Sequence, residues 1–324
     1  MDLLRFPLVV LVDVFKNMEF KEIFSISLLS KRARNTLKLT SIPSEFSISL
    51  SDSLDIQIET YICDSPPTVI SVGGETMRLS FRSNGVILED ESAQKQLLLA
   101  NHMLDTFKCS FICITFFEEA VPSTAWDLMK MINQRKLSIK SFSYYIKSES
   151  FEFIPRILDE CTEVTDFIFI SACFPDDFVY TPSRPFKTKD IRVCETTNWF
   201  NLESCMSSLQ IVVELGKTSN RTAETYNSFF SKWMDSDVRL QSLTFYSIEE
   251  DQYQTIMDTL GKQGTTRTID KDWIELTRRN GSEFFIHPLH GFISIHTKQA
   301  YSEIMRLHAK ARQLDIDLQA QDHQ

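Results

Sequence analysis

One stretch, Phe6–Leu39 (FPLVVLVDVFKNMEFKEIFSISLLSKRARNTLKL), constrains this chain more than any other. Val10, Leu11, Val14, Phe15 and Met18 recur at helical spacing and form one apolar stripe, with Asp13, Lys16 and Asn17 opposite. Leu8, Val9 and Val12 are apolar as well, yet lie off that stripe. The next segment repeats the excess: Ile23, Phe24 and Leu28 fall on one side, Ile26 and Leu29 on another. Pro7 suits the start of the first helix. Ser30 suits the N-cap of a third, which carries Lys31, Arg32, Arg34 and Lys38. Two short helices that are apolar on two faces cannot hide both against each other. One face packs internally, and the other implies a partner. The spacing predicts Val10, Val14 and Met18 inside, with Leu8, Val9 and Val12 turned outward.

The order of these blocks resembles an F-box. That pattern runs Leu-Pro, a hydrophobic helix ending in Leu, an acidic-Pro corner, a second apolar helix, then Ser-Lys-Arg and a Trp. Phe6-Pro7, Val10-Leu11, Val14-Phe15, Met18-Glu19, Ile23-Phe24, Leu28-Leu29 and Ser30-Lys31-Arg32 fall on it. Val9 stands where an acid is common, Phe20 replaces the corner Pro, and Ala33 replaces the Trp. The resemblance implies docking on the Skp-family adaptor of a ubiquitin ligase and, through it, on a cullin. It also implies an adaptor-binding set: Pro7, Leu8, Val9, Val12, Phe15, Ile23, Ile26, Leu29, Ser30 and Lys31. An ordinary helical hairpin within a larger core is the alternative.

At 324 residues the chain has room for a small module, 1–42, and a large domain, 46–324. The facing assignment predicts that Val12→Asp abolishes adaptor binding and leaves the fold of 46–314 intact. Glycine-rich phosphate loops are disfavoured by only 8 glycines, and a general nucleic-acid surface by a net charge of −10. The seven cysteines, Cys63 among them, contain no CxxC and sit mostly in apolar runs, as reduced core thiols do. Asp13 and Lys16 interrupt the first apolar run and no cleavage site follows, so no secretory leader is expected. No stretch has the length of a membrane span. An intracellular location, in cytoplasm or nucleus, is therefore the expectation.

Beyond the linker at 40–45, alternating Phe46, Ile48, Leu50 and then Leu54, Ile56, Ile58 predict strands. Met77, Leu79 and Phe81 lead into Ser83-Asn84-Gly85, a hairpin signal, and Val86–Leu88 returns. A small antiparallel sheet over 46–89 is the expectation. After Glu89, strands and helices alternate with strand starts ~20–30 residues apart, the period range of solenoid repeats. The fold class expected is therefore α+β or α/β: a helical module, a small antiparallel sheet, then an irregular, leucine-rich-repeat-like β/α arc. The repeat consensus with its Asn is absent, and a closed α/β domain is the alternative. On the outward positions of successive strands lie Ser141, Ser143 and Tyr145, then Thr165 and Phe167, then Ser242 and Thr244. Tyr145 and Phe167 are the aromatic candidates for holding a target.

Phe229, Phe230, Trp233 and Met234 occupy one face of a helix that leads into Leu240–Phe245. This is a core-facing stripe. The pattern Asn227-x-Phe229-x3-Trp233, a polar turn, then Leu240-x2-Leu243 is similar to the F-box-associated (type 2) domain of nematode F-box families, over about 180–262. Together the two resemblances imply a substrate-recognition subunit. A scaffold of the same fold, or a solenoid interaction module, remains open. No GxSxG, HExxH, Walker or Rossmann fingerprint occurs, so neither catalysis nor a cofactor is expected. His287 and His290 flank Pro288 in a turn and lack the further ligands that a metal needs.

Overall fold

The computed structural model describes residues 5–41, 44–58, 66–89, 92–146, 152–174, 178, 180–195, 197–216 and 219–321, without the side chains of 146 and 315–321. Cys63 lies outside the described residues. The chain forms two compact units, Met1–Ile170 with Pro182–Arg184, and Ser171–Thr181 with Pro185–Gln324.

The first unit opens with α1 (Leu8–Lys16), α2 (Phe20–Leu29) and α3 (Lys31–Thr40). Glu19 and Glu22 form a reciprocal capping box at the start of α2, where the corner Pro was absent from the sequence. Ser30 caps α3 by accepting from the Ala33 amide at 3.1 Å. Strands β1 (Ser44–Leu50), β2 (Leu54–Ile58), β3 (Thr68–Val72), β4 (Glu75–Arg82) and β5 (Gly85–Leu88) follow. Then come α4 (Ala93–Thr106), β6 (Cys109–Phe116), α5 (Pro122–Gln134), β7 (Ile139–Ile146), α6 (Ile154–Glu160) and β8 (Phe167–Ala172).

The strand order is β8-β7-β6-β1-β2-β5-β4-β3. Strands β1, β6 and β7 are parallel; the pairs from β1 through β2, β5, β4 and β3 are antiparallel. The expected small antiparallel sheet is thus one end of a larger mixed sheet, because β1 also pairs with β6. At the β4–β5 turn, a side chain on Gly85 would bring a Cβ within 2.6 Å of the Ile56 carbonyl oxygen. Alternate residues Phe46, Ile48, Ile112, Ile114, Phe142 and Tyr144 are buried, and Phe116 meets Phe142 and Tyr144 edge-on.

The helical module is built into this core. Phe20 stacks on Phe107 at 5.5 Å between centroids, and Phe24 meets Phe81 and His102 edge-on at 5.4 and 5.3 Å. Ser27 donates to the Phe24 carbonyl and lies 2.7 Å from His102 Nε2, so its oxygen is left to accept from a neutral imidazole. Burial, with Arg34 nearby, lowers the His102 pKa to about 4. Lys38 reaches the Leu104 carbonyl, and the Lys108 amide donates to Ser41. Two of the module's phenylalanines, Phe20 and Phe24, are thus core residues of the unit.

The second unit contains β9 (Asp190–Glu195), β10 (Gln210–Glu214), α7 (Ala223–Asp235), β11 (Ser242–Tyr246) and α8 (Glu250–Gly261). It ends with β12 (Thr265–Thr268), β13 (Ile274–Thr277), β14 (Glu283–Leu289), β15 (Phe292–Thr297) and α9 (Lys298–Gln321). The order is β12-β13-β14-β15-β11-β10-β9, with β9, β10 and β11 parallel and the rest antiparallel. The apolar face of α7 fixes it: Trp233 is buried, donates from Nε1 to the Leu240 carbonyl at 2.9 Å, and meets Phe284 edge-on.

The architecture is therefore a helical N-terminus followed by mixed sheet with helices, an α+β protein. Among the described residues no helix is long and apolar enough to cross a membrane.

Candidate protein-binding surfaces

Leu11, Phe15 and Leu37 form the buried centre of the helical module, with Phe6, Val14, Met18, Ile23 and Ile26 packed against it. Phe15, expected on the adaptor side, is buried instead; it sits four residues after Leu11 and so on the same face. Ile23 and Ile26 are half-buried against the same cluster. Val12 is half-buried and lines a groove of about 320 Å³ with Phe15, Phe20, Leu37, Phe46 and Phe107. It therefore faces the sheet side. Val10, expected inside, is exposed.

What remains in solvent is apolar and concentrated on α1 and α2. Pro7 and Leu8 are exposed, Val9 is 76% exposed and Leu29 75%. Ser30 and Lys31 are exposed beside them in sequence, Ser30 while serving as the α3 cap. Isolated exposed side chains are ordinary, but several large ones on two adjacent short helices are the mark of a covered surface.

A second surface lies on the half-exposed face of the first unit's sheet. Phe117 stacks on Tyr145 at 5.8 Å between centroids with 8° between planes, Tyr145 lies 5.2 Å from Phe169, and Phe169 stacks on Phe167 at 6.4 Å. This strip crosses the chain's β6, β7 and β8 segments. Tyr145 and Phe167 were legible as outward positions; Phe169 shares their face by its period of two, and Phe117 follows β6 directly. Ser47 and Ser49 of β1, Thr115 of β6 and Ser141 and Ser143 of β7 are half-exposed beside it. Two ion pairs lie among the charged side chains there. Lys140 sits 3.5 Å from Glu45 and 4.5 Å from the Phe111 ring centre, and Arg82 lies 2.8 Å from Asp55. Glu45 also accepts from the Cys113 thiol at 3.0 Å.

Ser242 and Thr244 do not join an outward face. They are buried because the hydroxyls pair across to β15: Thr244 with Ser294 at 2.7 Å, Ser242 with His296 Nδ1 at 2.9 Å. Thr165 is exposed but precedes β8.

The titratable groups have clear physical settings. Burial raises the thiols of Cys109 to about 11 and Cys205 to about 12, and raises Cys113, Cys161 and Cys194 as well. Burial lowers His296 to about 4. His287 stacks on Trp273 at 4.7 Å within β14, so the residue expected in a turn belongs to a strand. Among the described residues no group of three His, Cys, Asp or Glu could hold a metal ion.

Residues 3–43 match the F-box domain family model. The helical module is therefore an F-box domain, the module typical of substrate receptors in Skp-cullin-F-box ubiquitin ligases, which binds Skp-family adaptors that link to a cullin. No curated protein and no solved structure matches this chain at a significant level.

Proposed function

We propose that this protein is a non-enzymatic substrate receptor of a Skp-cullin-F-box ubiquitin ligase. The adaptor covers the exposed apolar side chains of α1 and α2, with Leu8, Val9 and Leu29 at its centre. A protein target is held on the half-exposed sheet face by Tyr145, Phe167, Phe169 and Phe117. The observation that carries this reading is that one unit bears two separate surfaces suited to protein contact. A receptor must hold adaptor and target at once, so the two cannot overlap. The second surface joins rigid aromatics to small hydroxyls, a composition that gives contact area at low entropic cost with adaptable hydrogen bonding. Its aromatic strip favours a partly apolar target segment. Raised thiol pKa values and buried, neutral His102 and His296 leave these groups poorly suited to nucleophilic or proton-transfer chemistry, in keeping with a binding role.

The alternation of strands with helical returns from β6 to β11 supports reading this region as irregular repeats of leucine-rich-repeat kind. The pattern around Trp233 supports the likeness to the F-box-associated type 2 domain.

The test uses two variants of the full chain, each checked for folding by circular dichroism, and partner capture read by mass spectrometry. Val9→Asp should lose adaptor and cullin yet keep target, and the target's level in cells should rise. Tyr145→Ala with Phe169→Ala should keep adaptor and lose target. Retention of every captured partner by the second variant would remove the sheet face from consideration. Target levels indifferent to Val9→Asp would make the protein a scaffold.

A further inference from the structure

Strand β12 ends the second unit's sheet, and its outer edge is open. It pairs antiparallel with β13, Thr265 opposite Thr277 and Arg267 opposite Glu275. Just past the strand, the Ile269 amide donates to the Trp273 carbonyl at 3.0 Å, so this pair lies in the bonded phase of the ladder. Bonded and unbonded pairs alternate. Thr265 and Arg267 therefore turn their amides and carbonyls toward β13, and Thr266 and Thr268 turn theirs to the open edge. Among the described residues, those two amides meet no acceptor. Charge commonly closes such an edge. Here the strand's one charge is drawn toward β13, where Arg267 lies 2.5 Å from Glu275, and the edge keeps only the threonines.

A cavity of about 1020 Å³ lies between the last turns of α7 and the β12–β13 hairpin. With a period of two, Thr265 and Arg267 share one face with Glu275 and Thr277, and all four line it. One wall is fixed by Gln263, which is 7% exposed. Its Oε1 accepts from Ser231 at 3.0 Å and from Arg278 at 2.8 Å, and its Nε2 donates to Asn227 at 2.7 Å. Four cations, Lys262, Arg267, Arg278 and Arg279, line the cavity with two carboxylates, Asp235 and Glu275. Arg278 takes up Asp235, and Arg267 takes up Glu275. Lys262 and Arg279 are exposed and form no ion pair among the described residues; Lys262 is attracted to Glu224 without contact. On a chain of net charge −10 this is a local positive excess.

The open edge and the cationic cavity share two strands, and one ligand satisfies both. A small anion or a nucleic acid would answer the charge and leave the backbone groups unpaired. A second copy, joined edge to edge about a two-fold axis, would set two cation-rich faces side by side. An extended peptide pairs its backbone with Thr266 and Thr268 and lays every second side chain on the cavity's face. We infer that β12 accepts an extended acidic peptide segment as an added strand, its carboxylates directed toward Lys262 and Arg279. This rests on neither the F-box nor the aromatic strip.

The probe is a fluorescein-labelled peptide of five Thr-Glu repeats, titrated into the full chain and read by anisotropy. It should bind with a dissociation constant below about 100 μM. A Thr-Gln counterpart, and an isomer with its five Glu contiguous, should each bind about tenfold more weakly or worse. Lys262→Glu with Arg279→Glu should also weaken binding by about tenfold or more, with circular dichroism unchanged. So should Thr266→Pro, which removes one outward amide at an edge position where Pro is tolerated. Methylating the peptide's own amides tests the same bonds without altering the protein. One alternate set faces β12 and the other faces solvent, so methylation of the Thr amides and of the Glu amides should have opposite outcomes, one losing binding and one keeping it. No binding of the alternating peptide, equal binding of the contiguous isomer, or the same outcome for both methylated sets would overturn the proposal. Self-association abolished by Thr266→Pro would overturn it too, giving the edge to a second copy.

Discussion

Replacing Phe24 by Ala tests whether the F-box is a structural part of the first unit or a separate module attached to it. Phe24 is fully buried, and its ring meets Phe20, Phe81 and His102. Two of those neighbours lie outside the F-box. Truncating a buried Phe to Ala costs about 3–5 kcal/mol through lost transfer energy and the cavity left behind. In a unit of this size each kcal/mol lowers the melting temperature by about 2–4 °C, so a fall of roughly 6–20 °C is expected. The location of the loss matters more than its size. Hydrogen exchange followed by mass spectrometry should show amides of β4 and α4 losing protection together with those of α2, because the cavity opens between them. Leu29→Ala, at an exposed position on the same helix, should change stability by no more than about 0.5 kcal/mol. If Phe24→Ala loosened only 8–41 and left β4 and α4 as protected as before, the claim of a shared core would be refuted.

Val9→Asp should abolish adaptor binding in a titration with purified adaptor while leaving the melting temperature unchanged, since Val9 is exposed in the free chain; a binding constant within about threefold of the unmodified protein would contradict the surface assigned here. Trp233→Ala should cost the second unit about 3–5 kcal/mol and reduce soluble expression, and a well-folded variant lacking one partner would instead make Trp233 a recognition residue. Acid should destabilise the protein through His102 and His296. Both have folded pKa values near 4 against 6.5 unfolded, so the unfolded chain binds more protons between those values. Their stabilisation is complete above pH 6.5 and is lost as pH falls toward 4, by up to about 3 kcal/mol each. Urea midpoints measured across that window should fall with pH, and His102→Gln should flatten part of the slope; midpoints that stay constant would count against both burials.

Local signals in the sequence were enough for some of this. The Ser30 cap, the paired apolar stripes of α1 and α2, the aromatic face of α7 and the hairpin at Gly85 all follow from residues a few positions apart. The errors came from contacts distant in sequence. Phe24 counts as apolar by periodicity, but that it meets Phe81 and His102 depends on pairings more than fifty residues away. Phe20, a departure from the F-box pattern, gained its meaning from Phe107 and Phe81. Val10 and Val12 were exchanged between inside and outside because both faces of α1 are apolar, and the period alone does not say which one meets the sheet. Strand β12, Thr265–Thr268, is exposed at every residue and has no hydrophobic alternation to reveal it. Of the aromatic strip, Tyr145 and Phe167 were visible as outward positions, whereas Phe117 lies past the end of its strand and needed the stacking geometry to be seen.

The union of F-box and sheet in one unit bears on which lysines of a target could be modified. A receptor whose two surfaces are joined by a flexible tether lets its cargo sweep a wide volume, and many lysines come within reach of the transfer machinery. Here Phe20, Phe24, Ser27, Lys38 and Ser41 anchor the F-box to β4, to α4 and to the residues just after α4, in the same unit whose sheet carries Tyr145 and Phe169. A target seated on that face would be presented at a single span and angle, like a workpiece clamped in a jig. Selection would then act on distance: of two equally exposed lysines, the one at the right separation from the aromatic strip would be taken and the other spared.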